Sequence, residues 1–386
     1  MKSFAFVLLF LNFSGTIINA RFYTRQYVDR LSIENDRFNG DADNRNFENA
    51  PFDELLYATS KHAKEDKQWN ENVAIELNKL VGQISGLATF SNLLYVFHRA
   101  NITWDESSFD HRNVYQKQAS PIFVDTIAAI DVNSAKVLGT WGSNSFYLPH
   151  GISVDLVGNL WLTDVALHQV FRYRNDNLEQ PDLILGERFV PGNDAGHFCQ
   201  PTDVAISSTG TAYISDGYCN SRVVVFAANG RYLSEFGDKE NMVIPHSLAL
   251  LESEDLICVA DRENNRVLCY SAGLMSSKTR DIMQRSRGQL MMELSLKQLK
   301  KVYAISSLGD IIFALNGGKV PTVGVSIDLG TEQIVDVWTP ENDSFYDAHD
   351  LAVSPDTNSF YVCQLSLSKK KILKFHLSEY PVLLPN

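Results

Sequence analysis

The chain has 386 residues, of which 45% are hydrophobic and 21% charged. That is enough for one large core or two modest domains, with the composition of an ordinary globular protein. A formal net charge of −12 argues against a nucleic-acid partner.

In chain order, Lys2 precedes an apolar run over residues 4–11, and small residues lead to Ala20. This succession predicts a secretory signal peptide over residues 1–20, cut after Ala20. The run is too short to anchor in a bilayer, and no later stretch is long and apolar enough to cross one. The expected location is the lumen of the secretory pathway, secretory granules included, or outside the cell. Residues 21–80 are acidic and Asn-rich with little strand pattern, and are expected to form a poorly ordered pro-region or linker, with Trp69 marking the start of folded structure. Asn101-Ile102-Thr103 and Asn342-Asp343-Ser344 are acceptor sequences for N-glycosylation at Asn101 and Asn342.

From residue 81 to about 380 the chain repeats. One unit runs His150-Gly151-Ile152-Ser153-Val154, then Gly158-Asn159-Leu160-Trp161-Leu162-Thr163-Asp164, then His168-Gln169-Val170-Phe171-Arg172-Tyr173. Similar units begin at Asp203 and Ser247, and weaker ones at Ile84, Val302 and His349. Strand, turn, strand ending in Asp, loop, strand is the plan of a propeller blade. The pattern resembles the NHL repeat, and six copies predict an all-β, six-bladed β-propeller. The Met- and Lys-bearing insertion from about Ser271 to Lys300 could form a helix, but reads better as a surface excursion.

His150, His246 and His349 open the second, fourth and sixth copies, each just before an alternating apolar run. The first strand of a blade lines the central channel, and alternate blades of six are related by a pseudo-threefold axis. Three imidazoles at one register therefore converge on that axis. Three nitrogen ligands with one open position suit a catalytic zinc. A lone histidine at such a strand edge usually bonds to backbone; three at symmetric positions call for a shared ligand. His62, His98, His111, His168, His197 and His376 share no such register and are read as structural or surface residues.

First and second strands of a blade are antiparallel, so residues following the second strand share the histidines' rim. Arg99 and Arg262 can grip a carboxylate bidentately there. Tyr218 is a candidate general base if a metal and an arginine lower its pKa. Asp164, Asp216 and Asp261 recur with the repeat and read as turn and ion-pair residues. Among five cysteines in an oxidising compartment, Cys258 and Cys269 flank a turn between two strands and would face each other in a hairpin. Cys199 and Cys219 are then the second pair, and Cys363 a buried free thiol; sequence alone permits other pairings.

Several long motifs carry a family likeness: Phe97-His98-Arg99, Tyr147-Leu148-Pro149-His150-Gly151, Thr163-Asp164-Val165-Ala166-Leu167-His168, His197-Phe198-Cys199-Gln200-Pro201-Thr202-Asp203, Ser215-Asp216-Gly217-Tyr218-Cys219-Asn220 and Val259-Ala260-Asp261-Arg262. From about Trp69 onward the chain resembles peptidyl-α-hydroxyglycine α-amidating lyase, the second enzyme of C-terminal amidation of neuropeptides and hormones. The resemblance implies zinc on His150, His246 and His349. It implies a structural calcium held by the Asp350 side chain and the backbone carbonyls of Leu87 and Ile152. It also implies Arg99, Tyr218 and Arg262 at the substrate, with Tyr218 or a zinc-bound hydroxide as base, Arg99 holding base or substrate in place, and the two disulfides above.

The family enzyme is often fused to a copper-dependent hydroxylating monooxygenase. The region before the propeller is too short for that domain, so the expectation is a stand-alone, monomeric lyase fed by a separate hydroxylase. Two departures stand out: Asp347-Ala348 where the family has Met-Pro, and Cys363-Gln364 where it usually has Gly-Asp. The alternatives are a non-catalytic NHL-type binding propeller in the secretory pathway and a calcium-dependent hydrolase of the lactonase type. The latter needs a site rich in Asp, Asn and Glu, which the histidine triplet disfavours.

Overall fold

The computed structural model describes residues 63–77, 81–275, 285–341, 343–365 and 372–377. The signal-peptide expectation and Asn342 lie outside them, and Asn101 is exposed.

The first described elements are strand β1 (Ala63–Glu65) and helix α1 (Lys67–Leu77). Six four-stranded antiparallel sheets follow. The first is β2–β5 (Ile84–Phe90, Leu93–His98, Ile127–Asp131, Val137–Trp141) and the second β6–β9 (Pro149–Val154, Leu160–Asp164, Gln169–Tyr173, Leu183–Leu185). The third is β10–β13 (Pro201–Ile206, Ala212–Asp216, Arg222–Phe226, Tyr232–Phe236) and the fourth β14–β17 (Pro245–Leu251, Leu256–Asp261, Arg266–Ser271, Leu290–Leu294). The fifth is β18–β21 (Val302–Leu308, Ile311–Asn316, Gly324–Asp328, Gln333–Trp338). The sixth combines β22, β23 and β24 (Ala348–Ser354, Ser359–Gln364, Ile372–Leu377) with β1 as its outermost strand. The architecture is thus the six-bladed propeller that the repeats predict.

Second strands such as β7, β11, β15 and β23 are buried along their whole length. Each sits mid-sheet with a neighbouring blade on either face, which is why these stretches read as continuous apolar runs rather than alternating ones. Phe97, Ile127, Phe146, Leu162 and Phe171 fill one seam between blades; Tyr213, Val225, Val259 and Leu268 fill another.

Two sequence expectations are corrected. The segment assigned to residues 21–80 is not all outside the propeller: Ala63, Lys64 and Glu65 pair with Leu377, His376 and Phe375. Asp66 caps α1, accepting the Trp69 N–H at 3.1 Å. Trp69, Val73 and Leu77, at helical spacing, bury one face against Tyr361 and Ile372 of the sixth blade and Val132 and Ala135 beside the first. Nor is the 271–300 insertion only a surface excursion or a helix. Its Leu290–Leu294 stretch is β17, and Val267 pairs with Leu294. The alternation in Leu-Met-Met-Glu-Leu was masked by the Lys- and Arg-rich residues before it.

Candidate metal centre

Each inner strand has a register irregularity near its start: between Ile84 and Gly86, Pro149 and Ile152, Pro201 and Asp203, Pro245 and Leu248, Val302 and Ala304, and Ala348 and Asp350. A bulge re-aims a side chain that would otherwise follow the pleat. The residues at the bulges are Ser85, His150, Thr202, His246, Tyr303 and His349. The three histidines are buried, and their ring centroids lie 4.9, 5.0 and 5.0 Å apart. One ligand atom from each falls within 4.8 Å of the other two.

The intervening blades orient the imidazoles. His150 Nδ1 lies 2.8 Å from the Thr202 carbonyl, His246 Nδ1 2.6 Å from that of Tyr303, and His349 Nδ1 2.8 Å from that of Ser85. A carbonyl only accepts, so each Nδ1 carries the hydrogen and each Nε2 keeps its lone pair. Burial, above all, pushes all three imidazoles well below the usual histidine range, so they remain neutral. The Tyr218 hydroxyl lies 2.9 Å from His150 Nε2 and 3.0 Å from His246 Nε2. One phenolic hydrogen cannot serve two acceptor nitrogens. Three neutral nitrogens facing one point with a single hydrogen between them form a donor set suited to a borderline metal ion such as zinc.

Tyr218 reaches this position through its loop. A Cβ on Gly217 would lie 2.0 Å from the Pro245 carbonyl, so only glycine lets the loop rest on the strand that carries His246. The Cys199–Cys219 disulfide pins the next residue, and the Cys258–Cys269 disulfide joins directly opposed residues of one hairpin. Cys363 is a buried free thiol. Burial raises the pKa of Tyr218, opposed by Arg262 and then Arg99.

Arg99 is buried, with Nε donating to the Pro149 carbonyl and Nη1 to Gln83 Oε1, each at 2.8 Å. Its Nη2 is buried without a hydrogen-bond partner among the described residues. Burial pulls its pKa down to about 10. Arg262 gives Nε and Nη2 to Glu263 Oε1 at 3.0 and 2.9 Å, leaving Nη1 3.5 Å from the Tyr218 oxygen. Each guanidinium thus has part of its five-donor set committed within the protein. Half-buried Trp104 completes the wall, 4.4 Å from the Tyr218 ring and with Arg99 5.5 Å above its own.

Below the histidines lies a channel of about 150 Å³, lined by Leu87, Ile152 and Asp350 among others. Asp350 Oδ2 accepts the Leu87 N–H at 2.7 Å. Asp203, at the same register of the opposite blade, accepts the Leu248 N–H at 2.9 Å. Burial raises both carboxyls, and Asp203 adds to the rise of Asp350. A pair of carboxylates in an oxygen-lined channel suits a hard cation such as calcium. Sequence reasoning missed Asp203, as it did Ser85, Thr202 and Tyr303; reading the intervening copies at the histidine register would have found the last three, and one residue further on would have found Asp203.

The aspartates act as the repeat suggests. Asp164 accepts the N–H groups of Tyr147, Leu148, Ala166 and Leu167; Asp216 takes Cys199 N–H and Arg222; Asp261 takes Val243 N–H and Arg266. His168 lies between Asn113 O and Gln200 N–H, a structural role, and His98 Nδ1 accepts the Ala100 N–H.

An NHL-repeat family model matches residues 198–226 and 243–270. The chain is 36% identical to a probable peptidyl-alpha-hydroxyglycine alpha-amidating lyase of Caenorhabditis elegans, over 76% of this chain and 82% of that protein. It is 41% identical to the peptidylglycine alpha-amidating monooxygenase of Rattus norvegicus, over 76% of this chain and 30% of that protein; the chain thus spans about a third of the monooxygenase's length. Among solved structures, a chain in the crystal structure of a nidogen/laminin complex has a TM-score of 0.50 at 15% identity, covering 71% of this chain and 85% of that one, a likeness of fold alone.

Proposed function

This chain belongs to the peptidyl-alpha-hydroxyglycine alpha-amidating lyase family, and from that premise we propose that it cleaves peptidyl-α-hydroxyglycine into a C-terminally amidated peptide and glyoxylate. In this carbon–nitrogen lyase reaction the C–N bond of the carbinolamide breaks, the carbinol hydroxyl loses its proton and the departing nitrogen gains one. Charge and atoms balance without an oxidant.

His150, His246 and His349 are the residues that would hold zinc, through their Nε2 lone pairs. Zinc bound there supplies Lewis acidity for the oxygen on which charge develops. Tyr218 would take the carbinol proton as its phenolate, an anion that Arg262 and Arg99 favour against the effect of burial; its place beside two neutral nitrogens and Arg262 supports this role. Arg99 Nη2 and Arg262 Nη1 are the nitrogens left for the substrate carboxylate, which supports a grip shared between two arginines. Asp350, with the carbonyls of Leu87 and Ile152, is the proposed holder of a structural calcium, and Asp203 adds a second carboxylate to that channel. The substrate is the product of a copper-dependent hydroxylating monooxygenase, and the setting is the secretory lumen. The two disulfides support an oxidising compartment, and no described helix is long and apolar enough to cross a membrane.

The observation that carries the reading is the convergence of three proton-free nitrogens beneath Tyr218. The test is glyoxylate release from α-hydroxyhippurate. Release that stops with chelator and returns with zinc is expected; no release, or release indifferent to chelation, would overturn the proposal.

A further inference from the structure

Among the six residues at the bulges, three are histidines and two, Ser85 and Thr202, carry small side chains. Tyr303 is the large one left over. Its backbone carbonyl orients His246, a task Ser85 and Thr202 perform for their histidines without a bulky side chain. The phenol ring therefore needs its own explanation.

The ring sits at the site. Its centroid lies 5.1 Å from that of His246 and 5.8 Å from that of His349. The guanidinium carbon of Arg262 is 4.7 Å from the Tyr303 centroid and 5.3 Å from the Tyr218 centroid. Arg262, which follows β15 in the fourth blade, thus stacks on two phenols from the third and fifth blades. Its Nε and Nη2 are engaged by Glu263 Oε1, and Glu263 Oε2 meets Lys301 Nζ at 3.0 Å. The residues around Tyr303 therefore reach Arg262 twice, by a face and through an ion pair. On another side the ring lies against Gly317, where an added Cβ would come within 2.4 Å of its carbons.

We propose that Tyr303 is a positioning residue that fixes the plane of Arg262, so that Nη1 faces the substrate carboxylate beside Tyr218. The inference rests on the lyase reading for its ligand and goes beyond it by assigning the residue that makes Arg262 competent. An arginine free to turn would lose the directed N–H and keep only its charge.

The test is a double-mutant cycle of Tyr303→Leu and Arg262→Ala, with Tyr303→Phe as the conservative variant. It reads KM and kcat for α-hydroxyhippurate, calorimetric affinity for hippurate, which keeps the carboxylate and lacks the hydroxyl, and zinc per chain. Tyr303→Phe is expected to hold KM within about twofold, while Tyr303→Leu raises KM and weakens hippurate about tenfold with kcat changing less than about threefold and zinc unaltered. In the Arg262→Ala background the leucine variant is expected to add less than about twofold. Wild-type affinities in Tyr303→Leu, effects that multiply in the double variant, or loss of zinc would each overturn the proposal. Hippurate binding that depends on Tyr303 in a protein releasing no glyoxylate would reject the lyase reading and sustain this one.

Discussion

His349 has its Nδ1 hydrogen on the Ser85 carbonyl and its Nε2 toward the axis. Removing the ring deletes one of the three proposed metal donors and the hydrogen bond to Ser85. His349→Ala is expected to reduce zinc affinity at least about a hundredfold and abolish glyoxylate release. The melting temperature of the metal-free protein should stay within a few degrees of wild type; metal analysis and calorimetry check both. At this scale the histidine register could be read from sequence because side chains carried it. The carbonyls that orient the rings could not, because a backbone acceptor leaves no residue type behind. The two departures from the family pattern also become intelligible. Gln364 Oε1 accepts the Tyr346 N–H at 2.8 Å, as Asp164 accepts that of Tyr147, so an amide replaces a carboxylate in the same bond. Asp347 has φ 53°, a left-handed conformation that aspartate tolerates better than most residues, and Ile244 occupies the equivalent place before His246 with φ 60°.

Among the elements, β21 bears a buried carboxyl that the proposed chemistry does not use. Asp336 has Oδ1 unpartnered among the described residues, and burial outweighs the N–H groups of Val337 and Ala63 to push its pKa up to about 7. An unfolded aspartate titrates near about 3.9. Between those values the folded chain holds a proton that the unfolded chain has released, so this group's contribution to stability falls as pH rises from about 4 to about 7. Asp336→Asn is expected to remove that slope and raise stability at neutral pH by roughly 1–3 kcal/mol, measured by urea unfolding at a series of pH values. Blades with regular alternation and short turns were legible from sequence. The outer strand β17 was not, because an 18-residue connection rich in charge separates it from β16. The seam at Asp336 was not, because its partner strand β1 lies at the other end of the folded chain.

Across the whole molecule, the proposed metal centre draws on the second, fourth and sixth blades, so an ion bound there would cross-link half of the ring. Free zinc a thousandfold above its dissociation constant should stabilise the fold by about 4 kcal/mol. A chelator is therefore expected to lower the melting temperature, zinc to restore it, and His349→Ala to erase the difference. Trp69, 3% exposed and 5.3 Å from the Tyr361 ring, holds α1 against the last blade. Trp69→Ala should cost about 3–5 kcal/mol, seen as a lower urea midpoint.

Because β1 is laid on β24, the sixth blade is woven from both ends of the described chain. Asp66 and His376, in contact at 2.9 Å, are 310 residues apart. Drawing such distant points together carries an entropic penalty of roughly 5 kcal/mol. During synthesis the strand made first must wait for the strand made last, so five blades can assemble on the ribosome while the sixth cannot. A stalled or prematurely ended polypeptide would present an open arc with two bare apolar sheet faces, on the first and fifth blades, surfaces through which neighbouring nascent chains associate.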